Sequence, residues 1–229
     1  MTLDPSRMTT GTIIVAAGSS QRMGGVDKLL APLGGRPVIA HSIAVFAAHT
    51  RLEALAIVVS PANEAAIRAL ADDLSPGARV VLGGARRRDS VANGLDALAH
   101  CDYVLVHDGA RPLVTADIIT AALDGAIQSG ASLCAVPVSD TVKRAADDGL
   151  VASTVNRERL WLAQTPQAFR TDVLRRAHAA HDIDATDDAA LVELIEEPVR
   201  LVMGSSENLK ITTPSDLVLA EAILASRTA

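Results

Sequence analysis

The stretch Ile13-Ile14-Val15-Ala16-Ala17-Gly18-Ser19-Ser20-Gln21-Arg22-Met23-Gly24-Gly25-Val26-Asp27-Lys28 passes from an apolar, β-branched run to small residues and then to a loop with two cations. The run suits a buried strand. Gly18, Ser19 and Ser20 let the backbone turn tightly and present consecutive N–H groups to anionic oxygens, while Arg22 and Lys28 bring positive charge to the same place. This reads as a phosphate loop after a first strand. No Gly-Lys-Ser/Thr follows, so it is not a Walker A loop, and Gly18, Gly24 and Gly25 do not fit the dinucleotide spacing G-x-G-x-x-G.

Outward from that loop, strands alternate with helical patterns, the signature of a mostly parallel sheet covered by helices. Pro37 is expected to open a helix to about His49, Leu55 to Ser60 to form a second strand, and Pro61 to start the next helix. A third strand, Arg79 to Leu82, enters a second glycine-rich loop, Gly83-Gly84-Ala85-Arg86-Arg87-Arg88-Asp89-Ser90, with Ser90 near a helix cap. Backbone amides, a helix N-terminus and three arginines there favour an anion. Tyr103 to Val106 is a fourth strand, and His107-Asp108-Gly109-Ala110-Arg111-Pro112 leaves its carboxyl end. Ligands of open α/β sheets bind there, so Asp108 is well placed to hold Mg²⁺ against a triphosphate, and His107 reads as a packed strand-end residue.

After a strand at Ser132 to Val138 the rhythm changes. Thr141 to Arg144 and Val151 to Val155 flank Asp147-Asp148-Gly149, which predicts a β-hairpin arm within about residues 139 to 160. A projecting arm needs something to bury against, and a second subunit is the economical candidate. Thr171 to His181 is helical, with His178 and His181 read as surface residues. Asp184 to Asp188 caps a helix to Glu196, and Val199 to Met203 and Leu209 to Thr212 are expected strands. Lys210, inside the last of these, would need an anion if it points inward. Thr213-Pro214-Ser215-Asp216 opens the final helix.

Composition narrows the class. The 229 residues support one compact domain from about residue 11 to the end, after a lead-in at 1 to 10 expected to be disordered and lacking the apolar run of a signal peptide or membrane anchor. A formal charge of -6 argues against a nucleic-acid or anionic-membrane binder. Cys101 and Cys134 lack C-x-x-C spacing and read as buried free thiols of a reducing cytoplasm.

Together, Ala16-Ala17-Gly18 with Arg22-Met23 and Lys28, Gly83-Gly84 with Arg87 and Ser90, His107-Asp108 with Ala110-Arg111-Pro112, Asp140-Thr141 with Lys143, Gln164-Thr165-Pro166-Gln167, Thr186-Asp187, and Asn208 with Lys210 resemble the 2-C-methyl-D-erythritol 4-phosphate cytidylyltransferase family. The resemblance implies a Rossmann-like nucleotidyltransferase fold, CTP and a polyol phosphate as substrates, Mg²⁺ or another divalent cation, a cytoplasmic homodimer joined through the arm, and a place in non-mevalonate isoprenoid synthesis. Carried onto this chain, it implies that Arg22, Lys28 and Lys210 stabilise the reacting phosphate and that Asp108 holds the metal. Ala16, Ala17, Gly18, Gly84, Arg87 and Ser90 would bind the nucleotide. Arg111, Thr141, Arg157, Thr165 and Thr186 would serve the acceptor, with Thr141 and Arg157 coming from the other subunit. Asp27 stands where a proline usually precedes the lysine. The rivals are ribitol 5-phosphate as acceptor, guanylyl transfer to a molybdenum cofactor, and a non-catalytic nucleotide sensor.

Overall fold

A computed structural model describes residues 8–18 and 27–228. The opening apolar run becomes β1 (Thr10–Ala16), an interior strand of the sheet. Parallel to it on either side lie β4 (Ala54–Val59) and β6 (Tyr103–Asp108), with Ala16 level with Val59 and Val15 level with Asp108. Outside β4 runs the parallel strand β5 (Arg79–Leu82). On the far side of β6, β10 (Trp161–Arg170) pairs antiparallel with both β6 and β7 (Ala131–Pro137), and β11 (Arg200–Met203) runs parallel to β7. The order is β11-β7-β10-β6-β1-β4-β5. The expected alternation therefore holds, with a single antiparallel strand, β10, inside the seven-stranded sheet.

Side chains alternate across the sheet, so each strand feeds two cores. Ile14, Ile57 and Leu105 pack on one face beneath α1 (Val38–Ala47), α2 (Glu64–Leu74) and α4 (Ala116–Ser129). Ile13, Ala56 and Val104 pack on the other beneath α3 (Arg87–Ala97), α5 (Thr171–Ala180) and α6 (Asp188–Glu193). The only two phenylalanines are buried one to a face, Phe46 in the first core and Phe169 in the second. Cys101 and Cys134 are free and buried, and burial raises both thiols, to about 11 and about 12.

Several boundaries shift for identifiable reasons. Thr9, assigned from sequence to the lead-in, is tied to Asp102 through its N–H and hydroxyl at 2.9 and 3.0 Å, and Thr10 already belongs to β1; residues 1 to 7 lie outside the described residues. Pro37 is the residue before α1 rather than its first, because it closes a small hairpin of β2 (Pro32–Leu33) and β3 (Arg36–Pro37) whose turn uses Gly34 and Gly35 at φ 55° and 78°. Pro61 opens a turn, not a helix, and α2 waits until Asn63 has capped that turn. Ser90 lies inside α3, and Asp89 in its first turn reaches back to the N–H of Arg86, the residue that caps the helix. α6 stops at Glu193, and Glu196 leaves it with φ at 58°.

Leu209 to Thr212 is not a strand. Its alternation has another cause: Ile211 fills a third apolar cluster with Leu33, Val38 and Leu113. The Asp216 carboxylate takes the Thr212 and Thr213 N–H groups, both at 2.8 Å, and so opens α7 (Pro214–Thr228).

The arm is present as β8 (Val142–Ala145) and β9 (Val151–Val155), an antiparallel pair separate from the main sheet. Its turn uses Gly149 at φ 82°, and Leu150 N–H donates to Asp148. Nearly all of its residues are exposed.

Candidate active site

The chain leaves β1 toward β4 and later crosses to β6 on the other side, so a crevice opens at the carboxyl ends of these strands. A cavity of about 420 Å³ occupies it. Val15, Ala16, Ala17 and Gly18 line it from the end of β1, Lys28 and Leu29 from the returning loop, and Gly84 to Arg87 with Ser90 from the second glycine loop. Asp108, Ala110 and Lys210 complete it.

The second glycine loop is held by contact as much as by flexibility. Ser90 Oγ accepts the Gly84 N–H at 3.1 Å and donates to the Arg86 carbonyl at 3.2 Å. A Cβ on Gly84 would stand 2.4 Å from Asp89 Cβ, so no side chain fits there and the backbone itself faces the cavity.

Asp108 ends β6 at the cavity floor. Burial opposes its charge, but Lys210, Arg87 and Arg111 more than offset that and hold the carboxyl at about 2. Lys210 Nζ lies 2.8 Å from Oδ2, with Arg111 Nε at 3.8 Å, and Arg87 Nη2 lies 3.9 Å from Oδ1. Lys210 is thus paired with an anion although its side chain is 40% exposed rather than turned inward.

Lys210 is delivered by a latch. The Ile211 N–H donates to the Ala110 carbonyl at 2.8 Å, Asn208 Nδ2 to the Thr165 carbonyl at 2.9 Å, and Arg111 Nη1 to the Asn208 carbonyl at 2.7 Å.

Behind Asp108 stands a neutral histidine. His107 is fully buried, and burial pushes its ring down to about 4. His107 Nε2 faces the Arg111 carbonyl, which can only accept, so Nδ1 of the neutral ring is an acceptor and takes the Thr165 hydroxyl proton at 3.2 Å, while Thr165 Oγ1 accepts the Asp108 N–H at 3.0 Å. His107 Nε2 then carries the ring proton and donates to the Arg111 carbonyl at 3.1 Å. The expectation of a packed strand-end histidine holds.

The three arginines do more than add charge. Arg86 pairs with Asp89 at 2.9 Å and Asp182 at 2.7 Å, and Arg88 donates to the His178 and His181 carbonyls. Arg87 Nη1 meets the buried Asp188 at 2.6 Å. His178 Nε2 lies 3.2 Å from the same carboxylate, so this ring is tucked in rather than on the surface. The run therefore fastens the segment between α5 and α6 to the N-terminus of α3, while Arg86 and Arg87 also face the cavity. Asn63 was not singled out from sequence, Asn208 entered only with the resembling motifs, and Asp188 and His178 were read as a helix cap and a surface residue; only the acidic run 182 to 188 hinted at partners for the arginines.

The structure brings Ala16, Ala17, Gly18, Lys28, Gly84, Arg87, Ser90, Asp108 and Lys210 into one cavity. Arg22 lies outside the described residues. The acceptor residues are not gathered there. Arg111 and Thr165 are turned into the support around Asp108, Thr186 is exposed just before the α6 cap, and Thr141 and Arg157 are exposed beside the hairpin.

A magnesium ion can be tested against these donors. Among the described residues no three His, Cys, Asp or Glu side chains converge. Asp108 Oδ1 stands beyond hydrogen-bond reach of Arg87, which leaves one carboxylate oxygen at the cavity floor. Magnesium often takes one or two carboxylates, several waters and substrate phosphates. The donor set fits a magnesium ion that arrives with a triphosphate.

A parallel sheet whose glycine-rich crevice gathers two lysines around one carboxylate defines a nucleotidyltransferase. Residues 11–226 match the family described as IspD: 2-C-methyl-D-erythritol 4-phosphate cytidylyltransferase. A 2-C-methyl-D-erythritol 4-phosphate cytidylyltransferase of Dehalococcoides mccartyi is 45% identical over 216 residues, covering 93% of this chain and 95% of its own. Another, from Pelotomaculum thermopropionicum, is 45% identical over 223 residues, 94% of each chain. The crystal structure of the Thermus thermophilus enzyme of that name superposes with a TM-score of 0.79 at 35% identity, over 95% of this chain and 100% of that one. The 4-diphosphocytidyl-2C-methyl-D-erythritol synthase of Anaerococcus prevotii gives 0.85 at 30% identity, over 97% and 100%.

The chain belongs to the 2-C-methyl-D-erythritol 4-phosphate cytidylyltransferase family. It is an enzyme of isoprenoid synthesis that transfers a cytidylyl group to 2-C-methyl-D-erythritol 4-phosphate.

Proposed function

We propose that the transfer is an in-line attack by the acceptor's phosphate oxygen on the α-phosphorus of CTP, with pyrophosphate leaving. The nucleophile is already an anion near neutral pH, so no general base is required. The obstacles are repulsion between two anions and the charge that gathers on the transferring phosphorus, and positioned cations relieve both. A cation about 4 Å from a phosphate oxygen is worth about 4 kcal/mol at an effective dielectric near 20, so a few suffice.

Lys28 and Lys210, both lining the cavity, supply that charge together with Arg22. The observation that carries this reading is Lys210 held 2.8 Å from Asp108 in the cavity that Lys28 also lines. The backbone at Ala16, Ala17, Gly18 and Gly84 borders the cytidine, with Ser90 fixing the second loop and Arg87 facing the phosphates. A magnesium ion on Asp108 would neutralise phosphate charge as the triphosphate binds. Arg111 and Thr165 hold Asp108 in place. Thr141 and Arg157, on the exposed hairpin, serve the acceptor in the cavity of a second copy, which makes the working unit a homodimer, and Thr186 borders the same acceptor space. The apolar side chains of Leu150 and Val151, 68% and 65% exposed at the hairpin, support such a partner. Two free thiols suit the cytoplasm, and among the described residues no helix is long and apolar enough to cross a membrane.

Pyrophosphate release measured with CTP or GTP against methylerythritol phosphate or ribitol 5-phosphate tests the reading. Release is expected with CTP and methylerythritol phosphate and at most slowly with the other pairs. Faster turnover of ribitol phosphate would overturn the acceptor assignment.

A further inference from the structure

Lys28 sits in the cavity wall on a turn that this chain holds by side chains. Asp27 wraps that turn. Its Oδ1 accepts the Leu29 N–H at 2.9 Å, and its carbonyl accepts the N–H groups of Leu30 and Ala31 at 3.0 and 3.1 Å. Beyond the turn, Leu29 is 3% exposed, and its carbonyl receives the Ile39 N–H at 3.0 Å, which ties it to the start of α1.

The other carboxylate oxygen of Asp27 is gripped from across the sheet. Asn63, 2% exposed between β4 and α2, donates through Nδ2 to Asp27 Oδ2 at 2.9 Å and to the Ala16 carbonyl at 3.0 Å. Its Oδ1 accepts the Ser60 N–H at 2.9 Å. One buried amide thus uses both donors and its acceptor to join the end of β1, the end of β4 and the turn that carries Lys28. Ala16 and Lys28 both line the cavity.

We propose that Asp27 and Asn63 form a positioning pair for Lys28, fixing the height of its ammonium over the reacting phosphate relative to the nucleotide bed at Ala16. The pair touches no substrate; it acts by removing freedom from the turn. A displaced transition-state cation loses rate steeply, since a misplacement near 1 Å can cost about 10²-fold. Ground-state binding of CTP, spread over the whole cavity, changes little.

This inference rests on Lys28 acting at the transition state, and a double-mutant cycle separates the two statements. Asp27→Ala alone is expected to lower kcat about tenfold with the KM for CTP within about twofold, because only the transition state depends on the Lys28 position. In a Lys28→Ala background the same change should cost less than about twofold, because there is no ammonium left to position. Asn63→Ala should behave likewise, and the two effects should not multiply. Asp27→Asn, which keeps one acceptor for two donors, should fall between wild type and Asp27→Ala. If Lys28→Ala is strongly impaired but Asp27→Ala keeps its kcat, the pair does not position Lys28 and the proposal is lost. Equal losses from Asp27→Ala in both backgrounds would reduce it to general structural support. A Lys28→Ala enzyme with normal kcat would instead remove the catalytic role beneath it.

Discussion

The crevice at the ends of β1 and β6 and the hairpin of β8 and β9 carry cations to opposite purposes. In the crevice, charges are answered within the chain: Lys210 by Asp108, Arg87 by Asp188, and Asp108 by three cations that keep it ionised. On the hairpin, Lys143 reaches only the Thr154 hydroxyl, at 2.7 Å, and Arg157 a backbone carbonyl at Ser139. Leu150, Val151 and Leu162 stand 68%, 65% and 56% exposed nearby. The crevice is preorganised before any ligand arrives. The hairpin's cations meet only neutral acceptors, which is why we propose the nucleotide for the first and the acceptor, in a neighbouring copy, for the second.

Substitutions can break that division. The largest effect belongs to the crevice: Lys28→Ala and Lys210→Ala should each lower kcat by about 10² or more, as for loss of one transition-state donor, with folding intact by circular dichroism. A near-normal kcat in either would end its role. Next comes the hairpin. Arg157→Ala should lower kcat/KM for the acceptor by about tenfold or more while the KM for CTP stays put, because only one substrate loses a contact. An equal rise in both KM values would mean that the two regions are not separate.

The smallest effect reads the support beneath Asp108. The His107 ring is held neutral down to about 4, below its ordinary 6.5, so the native state resists the proton that the unfolded chain accepts. Its stability is complete above pH 6.5 and is lost as pH falls from there toward 4, by about 2 kcal/mol at pH 5. Urea unfolding at pH 7 and pH 5 should show that loss in wild type and not in His107→Gln. Parallel pH dependence in both would remove His107 as its source.

Much of the crevice was legible because strand ends and glycine loops leave local marks. Alternating apolar runs placed β1, β4, β5 and β6, and the rule that ligands bind at carboxyl ends then placed Asp108. Lys210 was expected to need an anion only if it pointed inward from a strand; it is exposed, and its pairing with Asp108 comes from the loop that carries it. The supporting shell was illegible for the same physical reason. Asn63, Asn208, Asp188 and His178 act through hydrogen bonds to residues far away in sequence, and such pairings impose no periodicity. Leu209 to Thr212 misled because one buried isoleucine between polar neighbours alternates like a strand without pairing as one. The arginine run looked like a free anion site because its acidic partners come so much later in the chain.

The central claim, that the crevice of one copy works with the hairpin of another, is tested most directly by complementation. Lys28→Ala and Arg157→Ala proteins, each impaired as above, are mixed in equal amounts, allowed to exchange subunits, and assayed for pyrophosphate release with the acceptor well below its KM. Random pairing makes about half of the dimers mixed, each with one intact site of two, so activity should rise to about a quarter of wild type. Activity that stays at the average of the two parents would show that each chain completes its own site.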